Sequence, residues 1–156
     1  VIDSRRKQML SGAASKLEIL LVEDNPGDIR LIVETLEEGR KDYNISVAKD
    51  GEEALNFLLK RKNFEQAPVP DIILLDLKLP RKDGIEVLKE IKENDGLKAI
   101  PVIVLTSSSA DSDMASAYKN HANCYITKPI DLDKFVVTIQ AIENFWFTII
   151  KTSKSK

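Results

Sequence analysis

The chain has 156 residues, 43% hydrophobic and 31% charged, the profile of one globular domain with its own core rather than of a disordered segment. A formal net charge of −2 argues against general nucleic-acid binding, and no apolar stretch approaches the roughly 18 residues that span a bilayer. Cys124 is the single cysteine, so no internal disulfide can form, and a reducing, cytoplasmic compartment is expected.

Residues 1–16, VIDSRRKQMLSGAASK, carry positive charge without the apolar run of a signal peptide and read as an extension preceding the fold. LEILLV (17–22) reads as a buried strand. PGDIRLIVETLEEG (26–39) follows as a helix, with Pro26 suited to its first turn and Gly39 to its stop. ISVAK (45–49) has strand character, and GEEALNFLLKR (51–61) is an amphipathic helix with Ala54, Leu55, Leu58 and Leu59 on one face. KNFEQAPVP (62–70) is a polar loop ended by prolines. DIILLD is a strand, GIEVLKEIKEN a helix, IPVIVLT a strand, SADSDMASAYKN a weaker helix, NCYIT a short strand and DLDKFVVTIQAIENFWFTII a long last helix. The domain is expected over 17–150, with KTSKSK (151–156) a frayed basic tail. Repeated βα units with near-continuous apolar strands predict an α/β fold: a doubly wound, five-stranded parallel sheet of flavodoxin-like order 2-1-3-4-5 with helices on both faces.

Such sheets bind ligands in the crevice beyond the carboxyl ends of their strands, at the topological switch point. The strand ends here read Glu23-Asp24, Asp76, Thr106-Ser107 and Thr127-Lys128-Pro129. Carboxylates from Glu23, Asp24 and Asp76 that converge on one crevice repel one another. At about 5 Å and an effective dielectric near 20, each pair costs roughly 3 kcal/mol. The repulsion either raises a pKa or calls for a cation. Oxygen donors with no His or Cys select a hard ion, and Mg²⁺ binds through one or two carboxylates plus waters and phosphate oxygens. Lys128 adds a positive charge from the opposite wall, and Thr106 adds a small hydroxyl. A carboxylate nucleophile, a divalent ion, a lysine and a hydroxyl together suit a phosphoryl group, with Asp76 attacking in line.

The pieces "ED", "LLDLKLPRKDG", "VLTSS" and "YITKP", in order at successive strand ends, resemble a response-regulator receiver domain of two-component signalling. Thirty residues separate Asp76 from Thr106 and twenty-two separate Thr106 from Lys128, spacings that also match that family. The resemblance implies that Asp76 is phosphorylated by a sensor histidine kinase. It implies that Glu23, Asp24, Asp76 and the backbone carbonyl of Lys78 hold Mg²⁺, and that Thr106 and Lys128 grip the phosphoryl oxygens. Tyr125 matches the family's switch aromatic, which turns inward when Thr106 moves towards phosphate, and the Lys128–Pro129 bond is implied to be cis. Lys78 and Ser108, two residues beyond Asp76 and Thr106, match positions that set how fast water removes the phosphate. "EDNPGDIRL", the loop "KNFEQAPVP" and the ending "IENFWFTII" are similar to stand-alone regulators that partner phytochrome-type sensor kinases. Phe145, Trp146 and Phe147 are consecutive on a helix and cannot all face one core, so a homodimer contact is expected there.

Other readings weigh less. A haloacid-dehalogenase-type phosphatase needs a second aspartate two residues after its nucleophile, where Lys78 stands. A dinucleotide site needs a Gly-rich turn, and the first turn reads "EDNPGD". An EF-hand is rejected because the twelfth position from Asp24 is Thr35. A pseudo-receiver that binds partners without phosphorylation is the alternative function. Asn25 and Ser109 are expected as helix N-caps, His121 as a solvated turn residue and Cys124 as a small buried one.

Overall fold

The computed structural model describes residues 17–39, 43–108, 110–141 and 144. The elements in order are β1 (Leu17–Val22), α1 (Pro26–Gly39), β2 (Tyr43–Ala48), α2 (Gly51–Leu58), β3 (Ile72–Leu75), α3 (Gly84–Glu93), β4 (Val102–Thr106), α4 (Asp111–Lys119) and β5 (Cys124–Thr127). A last helix, α5, covers 132–141. The expected extension over 1–16, the tail over 151–156, the cap Ser109 and the aromatic trio Phe145, Trp146 and Phe147 lie outside the described residues.

All strand pairs are parallel, and the sheet order is β2-β1-β3-β4-β5, as the alternating pattern predicts. Side-chain alternation divides the core into two layers. Leu20, Val22, Ile73, Leu75, Val102 and Val104 point to one face and pack with residues of α2, α3 and α4. Leu17, Ile19, Leu21, Ile72, Leu74, Ile103 and Leu105 point to the other, against Ile32 and Leu36 of α1 and Phe135 and Ile139 of α5. Burial on both faces explains why β1, β3 and β4 read as near-continuous apolar runs, broken in β1 only by the half-buried Glu18. β2 and β5 are edge strands and are only half-buried. Cys124 on β5 is therefore half-buried as well, a correction to the expected burial.

Side-chain caps start most of the helices. Asn25 accepts from Asp28 N at 3.0 Å, Asp50 from Glu53 N at 2.7 Å, Asp83 from Ile85 N at 3.1 Å and Asp131 from Lys134 N at 3.2 Å. Each satisfies a backbone donor that the first turn leaves without an intrahelical partner. α4 differs: its cap position is Ala110, which makes no side-chain bond. α2 ends at Leu58 rather than the expected Arg61, because Lys60 turns left-handed at φ 54°. The polar loop after it contains a single 3₁₀ turn, Lys62–Phe64, held by Phe64 packing on Phe57 at 5.6 Å between ring centroids. No helix among the described residues is long and apolar enough to cross a membrane.

Candidate functional site

The register Val22↔Leu75 between β1 and β3 sends the next residues, Glu23 and Asp76, out of the sheet side by side. These strands flank the switch point, since the chain runs from β1 to the β2 edge and from β3 towards the β5 edge. Glu23 is 1% exposed and Asp76 6% exposed, which is unusual for carboxylates unless they are paired. Asp24 is exposed at the mouth. One carboxylate oxygen from each of the three lies within 4.8 Å of the others. This all-oxygen donor set fits a hard divalent ion.

Lys128 reaches into the same place from the end of β5. Its Nζ lies 2.6 Å from Glu23 Oε2, 2.9 Å from Asp28 Oδ2 and 3.3 Å from Asp76 Oδ2. The three N–H donors of the ammonium thus meet three acceptors. Burial works against the charge on Lys128, but hydrogen bonds to Glu23 and Asp28 and the field of Asp76 outweigh it and hold its pKa above the usual lysine range. Burial pushes the Glu23 carboxyl up to about 7 and Asp76 adds to the rise, while Lys128 and the N–H of Asn25 oppose it. Burial beside a second carboxylate thus outweighs the Lys128 ammonium in setting the Glu23 pKa, and a further cation would favour the ionised form.

Thr106, Ser108 and Tyr125 gather at the β4–β5 side, and Lys78 stays beside Asp76. Thr106 is fully buried, and its Oγ1 accepts from Ser108 N at 3.3 Å. Tyr125 lies half-buried against the core, and its hydroxyl donates to the Ser108 carbonyl at 2.8 Å. Ser108 is buried and its hydroxyl donates to Asp113 in the first turn of α4. Lys78 donates its backbone N–H to Asp76 Oδ1 at 3.1 Å while its side chain is exposed. The Lys128–Pro129 bond is cis, as the resemblance implies. His121 is exposed in a left-handed turn at φ 68°, as a solvated turn residue should be. Among the described residues no fully buried side-chain polar atom lacks a hydrogen bond.

The sequence reading missed Asp28 as part of this site, and it also missed Asp113. An acid in the first turn of a helix has a common explanation in the helix dipole, so nothing in the local pattern around Asp28 points to Lys128.

The fold and this strand-end constellation define a signalling receiver. The chain belongs to the response regulator receiver domains of two-component systems, whose family model matches residues 19–140. Among its relatives, the response regulator Rcp1 of Synechocystis sp. is 46% identical over 132 residues, 85% of this chain and 90% of that one. FilR2 of Methanothrix harundinacea is 41% identical over 128 residues, 82% of each chain. The phosphorylated cyanobacterial phytochrome response regulator RcpA superposes with a TM-score of 0.76 at 44% identity, covering 86% of this chain and 96% of that one. The Mn²⁺-bound form of Rcp1 gives a TM-score of 0.74 at 46% identity over 83% of this chain and 94% of that one.

Proposed function

We propose that the protein is a stand-alone response regulator phosphorylated on Asp76 by a sensor histidine kinase of the phytochrome type. The observation that carries this reading is the convergence of Glu23, Asp24 and Asp76 with the Lys128 ammonium at one strand-end crevice. The kinase class rests on the relatives, which include a phosphorylated phytochrome response regulator at 44% identity. Glu23, Asp24, Asp76 and the Lys78 carbonyl would hold Mg²⁺, which supplies positive charge to the transferring oxygens. An oxygen of Asp76 attacks phosphorus, the bond from phosphorus to the donor breaks, and the donor leaves with that electron pair. Lys128 and Thr106 receive the new phosphoryl oxygens.

Thr106 moving towards the phosphate gives up the amide of Ser108, and Tyr125 shares that same residue through its hydroxyl. The phosphate thereby shifts the balance between two arrangements of this loop, and output follows by protein contact. A cytoplasmic location and a homodimer through Phe145, Trp146 and Phe147 belong to the same reading. The dimer is tested by size exclusion with and without beryllofluoride, repeated on Trp146→Ala.

The deciding experiment is labelling with acetyl phosphate or phosphoramidate in Mg²⁺. The expected result is one phosphoryl group per chain in the wild type and none in Asp76→Asn. A wild type that takes no label, and behaves in partner binding like Asp76→Asn, is a pseudo-receiver instead.

A further inference from the structure

The Lys128 ammonium has a partner with no role in the reading above. Asp28 Oδ2 stands 2.9 Å from Nζ, nearer than Asp76 Oδ2 at 3.3 Å. The backbone of Asp28 is fixed, because its N–H is the donor to the Asn25 cap at 3.0 Å. Its carboxylate then crosses from the first turn of α1 to a lysine 100 residues on, just after β5. A surface pair of this kind contributes little to stability, which alone would give Asp28 no role. Here, however, the Lys128 side chain is 11% exposed and that of Asp28 36%, so the contact closes the mouth of a buried charge cluster.

We infer that Asp28 is a positioning residue that holds the Lys128 ammonium over Asp76 once Glu23 is engaged by a divalent cation. This rests on the function proposed above. Among the described residues, the carboxylates that can share a metal are Glu23, Asp24 and Asp76, and Asp28 stands outside that set. A carboxylate that coordinates a metal is a weaker acceptor for an ammonium. When Glu23 turns to the metal and Asp76 to the phosphoryl group, Asp28 is the remaining anchor of the three. Without it, the flexible four-carbon stem of Lys128 lets the ammonium move out to water, and the developing charge on the phosphoryl oxygens loses its cation.

The test is acetyl phosphate labelling at saturating Mg²⁺, run as a double-mutant cycle. Losing one charge-assisted contact slows labelling about fivefold in Asp28→Asn, and Asp28→Glu recovers most of the rate. In a Lys128→Ala background, Asp28→Asn has no further effect. A second readout needs no phosphate: the Lys128 ammonium gives a slowly exchanging ¹⁵N–¹H NMR signal in the Mg²⁺-loaded wild type, and Asp28→Asn loses it. Wild-type labelling with the signal intact in Asp28→Asn overturns the inference, as does a rate loss that persists without Lys128. If the wild type takes no label, the proposed function fails, and the ammonium signal decides the role of Asp28 separately.

Discussion

Lys128 Nζ lies 2.6 Å from Glu23 Oε2 and ties the end of β5 to the end of β1 across the mouth of the sheet. Removing the lysine leaves a buried carboxylate facing Asp76 with no cation. Breaking a buried pair from one side typically costs about 3–5 kcal/mol, and protonation of the remaining acid relieves part of that. Lys128→Met is therefore expected to lower the unfolding free energy by about 3 kcal/mol near pH 8 and by clearly less near pH 5.5. The sign follows from linkage. A carboxyl with a folded-state pKa above its unfolded one binds protons more tightly when folded, so stability falls as pH rises between the two values. Urea unfolding at both pH values checks it; equal losses would mean that Glu23 is not the group left exposed to the imbalance.

On the proposed function, the same carboxyl holds Mg²⁺, and its pKa sets the pH dependence of binding. Glu23 is pushed from an ordinary 4.5 up to about 7, and Mg²⁺ requires its ionised form. Mg²⁺ affinity should rise through that range, with a proton released on binding, and level off above it. Well below the Glu23 pKa, each pH unit costs about tenfold. Titration calorimetry in two buffers of different ionisation enthalpy counts the proton. Glu23→Gln is expected to bind weakly with a nearly flat profile, and a wild-type affinity that does not change across neutral pH contradicts the assignment.

What could be read in advance follows from where each signal resides. β1, β3 and β4 were legible because double-sided burial forces near-continuous apolar runs, and Glu23, Asp24 and Asp76 stood out as acids after such runs. Parallel register then placed them together without further information. Asp28 was not legible, because its role depends on how α1 leaves β1 and on the reach of a lysine 100 residues on. The early end of α2 was hidden too, since Lys60 takes a left-handed turn that sequence usually marks with Gly or Asn. The exposure of Cys124 depends on β5 being an edge strand, a property of the sheet order rather than of the strand's own residues.

Gly84 shows how closely α3 approaches the end of β3. A Cβ there would lie 2.4 Å from the Asp76 carbonyl oxygen and 2.5 Å from Leu77 Cα, both backbone atoms that cannot step aside cheaply. The approach is used, since Gly84 N donates to the Leu77 carbonyl at 2.9 Å. Gly84→Ala should destabilise the fold by about 1–3 kcal/mol, as overpacking does, and displace the Asp76 carboxylate from its partners. Chemical denaturation measures the first effect, and loss of Mg²⁺ affinity in the still-folded fraction measures the second. An alanine variant with wild-type stability and Mg²⁺ affinity would refute both.

Two positions matched to phosphate lifetime differ in what their side chains do. The Ser108 hydroxyl is taken up by Asp113, whereas the Lys78 side chain is exposed beside an Asp76 carboxylate that already accepts its amide. On the proposed function, Lys78 is thus free to lie over the acyl phosphate and cover it, with its stem excluding water. Lys78→Asn replaces that cover with a short amide able to hydrogen-bond an attacking water, and the phosphorylated form is expected to decay faster by a factor of about three or more. Ser108→Ala should leave the decay rate near wild type and instead loosen the first turn of α4, seen as faster amide exchange over Asp111–Ala115. The two decay rates are compared after removal of the phosphodonor. An unchanged lifetime in Lys78→Asn, or a large change in Ser108→Ala, would reverse the assignment of which side chain guards the phosphate.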